Sequence, residues 1–65
     1  MRIDLNGKPL TTRATTLTQL LAELDLDAAS VATALEGVFV PRSRRDQTRL
    51  TAGAKVEVLT PMEGG

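Results

Sequence analysis

The chain has 65 residues, a single domain's worth, with eight basic residues against eight acidic ones, no cysteine, no histidine and one aromatic residue, Phe39. A chain of this size buries only about 60% of its unfolded surface and gains roughly 3 to 5 kcal/mol from its core, so a simple compact fold is expected, with neither disulfides nor zinc thiolates to staple it. The balanced charge and lack of aromatic platforms argue against nucleic acid as a partner, and the missing His and Cys remove the commonest general base, the softest nucleophile and two transition-metal ligand types.

No apolar run approaches the roughly 18 residues of a membrane span, and the first residues carry no signal-peptide pattern. A soluble protein in a reducing, cytoplasmic setting, away from membranes, is expected. No phosphate-binding glycine loop is present, so catalysis by this chain alone, or a cofactor bound to it, is not expected.

Met1 to Leu5 alternates, with Ile3 and Leu5 on one face and Arg2 and Asp4 on the other, as in a half-buried strand. Asn6-Gly7 tolerates positive φ at both central positions of a type I′ turn and predicts a hairpin with Lys8 to Arg13. Pro9 cannot donate a ladder hydrogen bond and places that second strand at the sheet edge. Thr16 is positioned to cap a helix, with Gln19 reaching back in a capping box. Leu17, Leu20, Leu21 and Leu24 then form one apolar stripe, opposite Thr18, Gln19 and Glu23, and the helix is expected to end near Asp25.

Val31 to Leu35 is a short apolar run that reads as a third, central strand. Glu36-Gly37 supplies a turn, and Val38 to Val40 a fourth strand stopped by Pro41. Arg42, Arg44, Arg45 and Arg49 place half of all the cations in eight residues. Such a run is either a solvated loop or a docking patch for an acidic surface. Leu50 returns to the core, Ala52-Gly53-Ala54 turns, and Lys55 to Thr60 alternates with Val56 and Val58 inward and Glu57 and Leu59 outward. The order is ββαβββ, an α+β layout with one helix over one sheet face, in which the first and last strands can pair in parallel at the centre.

The sequence ends Pro61-Met62-Glu63-Gly64-Gly65. Glycine lacks a side chain, so this end can enter a passage too narrow for any other residue, and five extended residues reach at most about 17 Å. A frayed terminus is the plainer alternative. Residues 1–60 are read as the folded domain and 61–65 as a flexible functional tail.

In order along the chain, Asn6-Gly7, the helix TLTQLLAELD from Thr16 to Asp25, the segment VATALEGVFVPR from Val31 to Arg42, Gly53-x-x-Val56-Glu57-Val58 and the Gly64-Gly65 end resemble the ThiS family of sulfur carriers in thiamine biosynthesis, a branch of the ubiquitin-like β-grasp proteins. The resemblance covers essentially the whole length. It departs at Glu36, where the family often has Asn, at Ala54, where an acidic residue usually stands, and at Glu63, where a small residue commonly precedes the glycines.

The resemblance implies a β-grasp fold and a Gly65 carboxylate that is adenylated with ATP by an E1-like, ThiF-like adenylyltransferase. Sulfur from a persulfide-bearing donor then makes a thiocarboxylate, and a ThiG-like thiazole synthase receives it. Gly64 and Glu63 would lead the tail into its partners, with Glu63 outside the passage that admits the glycines. Docking is expected to involve Leu59, Phe39, Arg42 and Arg45. The small subunit of molybdopterin synthase, a ubiquitin-like modifier joined to lysines, and a plain interaction module are the alternative functions.

Overall fold

A computed structural model describes residues 1–61. Five strands and one α-helix follow the expected order: β1 (Arg2–Leu5), β2 (Lys8–Thr11), α1 (Leu17–Glu23), β3 (Ala32–Leu35), β4 (Val38–Val40) and β5 (Lys55–Leu59), with a 3₁₀ helix at Arg42–Gln47 between the last two. The sheet runs β2-β1-β5-β3-β4, parallel between β1 and β5 and antiparallel elsewhere. The fold is the mixed sheet with one helix that the sequence predicts. β5 takes the centre, whereas β3 lies one place in from the β4 edge.

Both hairpins close through two-residue turns whose residues have positive φ: Asn6 and Gly7 at 51° and 82°, Glu36 and Gly37 at 51° and 81°. The flanking pairs Leu5↔Lys8 and Leu35↔Val38 fix the registers. These are the primed turns whose twist matches that of the strands they join. Pro9 sits on the outermost strand, where its missing amide breaks no interior ladder.

The helix begins at Thr16, whose hydroxyl accepts from the Gln19 amide at 3.2 Å. The reciprocal half of the expected capping box is displaced by one residue. Gln19 Oε1 accepts from the amide and hydroxyl of Thr15, both at 2.8 Å, because Thr15 is the residue that stands within its reach. Asp25 ends the helix in the left-handed conformation with φ 58°. The amide of Leu26 then donates to Leu21 O at 3.0 Å and that of Asp25 to Ala22 O at 3.1 Å, a Schellman closure built on aspartate instead of glycine.

Ile3, Leu17, Leu20, Leu21 and Val56 are each at most 1% exposed and join the helix stripe to the inner sheet face. At about 1.5 to 3 kcal/mol per fully buried aliphatic side chain, these five make a large contribution to the apolar drive, to which Val40, Leu50 and Val58, 6 to 8% exposed, add. Leu24, at the helix cap, is only half-buried. Glu23 is exposed, opposite the apolar stripe as expected, and its carboxylate also accepts from the hydroxyl of the buried Thr12 at 2.6 Å, which ties α1 to the end of the first hairpin.

Candidate functional site

The alternation of β5 decides which side chains are offered outward. Val56 and Val58 point into the core, while Lys55, Glu57 and Leu59 point to the sheet face that α1 leaves open. Register carries that face across the sheet. Leu59 lies opposite Ala32, Glu57 opposite Ala34, and Ala34 opposite Phe39. Two alanines therefore separate Leu59 from Phe39, and neither is large enough to cover them. Leu59 stays 65% exposed and Phe39 66%, an apolar strip that crosses the open face from β4 over β3 to β5, the strand from which the chain leaves the sheet.

Beside this strip runs a shallow groove lined by Asp4, Asn6, Lys55, Glu57 and Leu59. One wall holds an uncompensated polar atom, since Asp4 Oδ1 is buried without a hydrogen-bond partner among the described residues. The alternation reading put Asp4 on the outer face, but gave no sign that its carboxylate would be covered.

The arginine cluster divides. Its first residues form the 3₁₀ helix, where a loop was one of the two expected readings, and Arg42, Arg44 and Arg49 are exposed. Arg45 is not on the surface. It is 4% exposed, and its guanidinium donates from Nε to Thr33 Oγ1 at 3.1 Å, from Nη1 to Ala28 O at 2.7 Å and from Nη2 to Val31 O at 2.7 Å. Its expected place in a docking patch is corrected accordingly, because every nitrogen of the fork is committed inside the fold. Arg42 remains available and lies close enough to Asp27 to help hold that carboxyl below the usual range, after the stronger effects of the Ser30 hydroxyl and the Ala29 amide.

Central to the geometry is Asn6, whose side chain the sequence reading did not single out. Its Nδ2 donates to Val58 O at 3.1 Å and its Oδ1 accepts from Val58 N at 2.9 Å. Glu36, first residue of the other turn, matches it from the opposite flank. Its Oε2 accepts from Lys55 N at 2.6 Å, while its amide donates to Lys55 O at 2.8 Å. The expectations for Glu63, Gly64 and Gly65 lie outside the described residues. Among the described residues, no group of three or more metal-ligating side chains comes together, and no helix is long and apolar enough to cross a membrane.

A family model described as the ThiS family matches residues 3–65. Two solved structures of a thiamine biosynthesis protein (ThiS) from Geobacter metallireducens are similar to this chain. The crystal structure is 35% identical over 100% of both chains with a TM-score of 0.85. The solution NMR structure is also 35% identical and covers 100% of this chain and 88% of that one with a TM-score of 0.84. No curated protein matches the chain significantly.

Proposed function

Because the chain belongs to the ThiS family, we propose that it is a sulfur carrier of thiamine biosynthesis whose working group is the Gly65 carboxylate. The observation that carries this reading is that the family match runs from residue 3 through residue 65, taking in Gly64 and Gly65 together with the whole β-grasp body. Full-length similarity to thiamine biosynthesis structures favours this pathway over the others that such a tail could serve.

In this reading residues 1–60 are the body that partners grip and residues 61–65 the arm that enters them. An α-carboxyl group has a pKa near 3.5, so Gly65 is an anion at neutral pH. Its oxygen attacks the α-phosphate of ATP held by an E1-like adenylyltransferase, and pyrophosphate leaves. The acyl adenylate exposes an electrophilic carbon that the free carboxylate lacks. A persulfide sulfur from a donor protein attacks that carbon and displaces AMP, giving an acyl disulfide. A second thiol then attacks the donor's own sulfur and forms a disulfide with it, and the acyl disulfide's S–S bond breaks to leave the transferred sulfur on Gly65 as the thiocarboxylate, the form that a thiazole synthase uses. The sequence contains no cysteine, so its own activated end meets no internal thiol.

Leu59 and Phe39 supply the apolar centre of the docking face and Arg42 a cationic margin. Charge reversal, Arg42→Glu, is expected to weaken binding to the adenylyltransferase roughly three- to tenfold at low salt, with the difference shrinking as salt is raised. Titrations at two ionic strengths check it, and an affinity indifferent to the reversal takes Arg42 out of the interface.

The direct test is the intact mass of the protein isolated from its own cells under thiamine limitation. One sulfur-for-oxygen exchange mapped to Gly65 is the expected result. Gly65 found instead on lysines of other proteins would overturn the carrier reading in favour of a protein modifier.

A further inference from the structure

We propose that Asn6 is a positioning residue for the C-terminal carboxylate: its carboxamide holds Val58 and thereby fixes where, and in which direction, the chain leaves the sheet. The inference rests on the carrier reading above, and it concerns how the body aims the tail.

The two strands beside β5 support it unequally. On one side β3 pairs with β5 as far as Leu59, opposite Ala32. On the other side the parallel partner β1 pairs only with Lys55 and Val56, because β1 ends at Leu5 and the chain turns away at Asn6. The amide of Asn6 still reaches Val56 O at 2.9 Å. Val58 comes next on this side, with its N–H and C=O directed at a strand that is no longer there, and the residue is only 6% exposed. Polar backbone groups in such a place need partners.

Asn6 supplies both. A carboxamide carries an acceptor and a donor side by side, as a peptide group does, so the side chain extends the ladder by one rung after the backbone has left. The same residue sits at φ 51° in the turn, a conformation that asparagine adopts more readily than most residues. Among the described residues, this rung is the hydrogen-bonded tie between the β1 side and β5 beyond Val56. Without it Leu59, Thr60 and Pro61 hang from a strand held along one edge. The direction in which the chain leaves at Pro61 is then less fixed, and fewer approaches of the body to its partner place the exit productively toward a bound nucleotide.

The test compares Asn6→Gly with Thr16→Ala. Gly-Gly suits the same turn, so N6G removes the carboxamide without opposing the backbone. T16A removes the helix cap, a loss of similar size far from β5. Both are assayed well below their unfolding temperatures, by amide exchange and by ATP–pyrophosphate exchange with the ThiF-type adenylyltransferase of the same organism. N6G is expected to speed exchange at Val58 about tenfold or more, and to lower kcat/KM of activation about ten- to a hundredfold. T16A leaves both unchanged. Should N6G fold too poorly to assay, Asn6→Asp keeps the acceptor, loses the donor and is read in the same way. Equal activation by the Asn6 variant and T16A overturns the inference while the carrier reading stands. Wild-type protein that supports no pyrophosphate exchange overturns the carrier reading, and the inference with it.

Discussion

Replacing Arg45 with alanine is expected to unfold the domain. The guanidinium satisfies the carbonyls of Ala28 and Val31 and donates to Thr33 Oγ1, and the Thr33 hydroxyl in turn donates to Val40 O at 2.8 Å. One side chain thus links the segment after α1, the start of β3, the end of β4 and the 3₁₀ helix. Hydrogen bonds from a charged donor contribute about 1.5 to 3 kcal/mol each, and acceptors left buried without partners add a desolvation cost of about 1 to 3 kcal/mol. Even after discounting for overlap, a loss of about 3 to 5 kcal/mol follows, comparable with the whole stability of a domain this small. Thermal unfolding followed by circular dichroism checks it: a fall of about 15 °C or more, or no cooperative transition at all. Arg45→Lys keeps the charge but offers no planar fork, and is expected to recover only part of the loss. R45A melting within a few degrees of the wild type would show that these bonds contribute little.

Deleting Gly65 alone is expected to abolish activation while leaving the body as stable as before. One residue of extended chain is about 3.5 Å, so the deletion withdraws the carboxylate by that distance from a bound nucleotide. Misplacement of a reacting group by about 1 Å can cost on the order of a hundredfold, and the shift here is several times larger. ATP–pyrophosphate exchange should drop at least about a thousandfold, with the melting temperature unchanged. The two readouts separate a lost reacting group from a damaged fold. A truncated protein that still drives exchange would mean that the chain end is not the reacting group, as in the plain interaction module.

Which parts of this were legible in the sequence follows from how local each signal is. Asn6-Gly7 announces its hairpin because so few residue pairs accept two positive φ values, and the alternation from Lys55 to Leu59 announces its faces because a strand repeats every two residues. The exposure of Leu59 followed from that alternation alone. Arg45 was misread because nothing distinguishes it within a run of arginines. Its partners lie 12 to 17 residues away and are mostly carbonyls, which no side-chain pattern reveals. The second role of Asn6 was hidden for the same reason, since Val58 stands 52 residues along the chain. The 3₁₀ helix has no apolar period to betray it, its one buried residue being that arginine.

The sheet order sets a condition on how the molecule comes into being. Among the described residues the β1–β2 and β3–β4 hairpins form no ladder with each other; within the sheet each is joined to the other only through β5, which is made after both. A ribosome that has not yet reached Lys55 has therefore synthesised two hairpins and a helix with no strand to join them, and a hairpin alone is marginal in water. Adding β5 closes both ladders, and the turns seize it from either flank through Asn6 and Glu36. Every interrupted chain that stops short of β5 lacks both the strand that closes the sheet and the Leu59 face. Topology therefore orders the two events: a molecule that presents Leu59 and Phe39 on one sheet face has already been translated to within a few residues of Gly65.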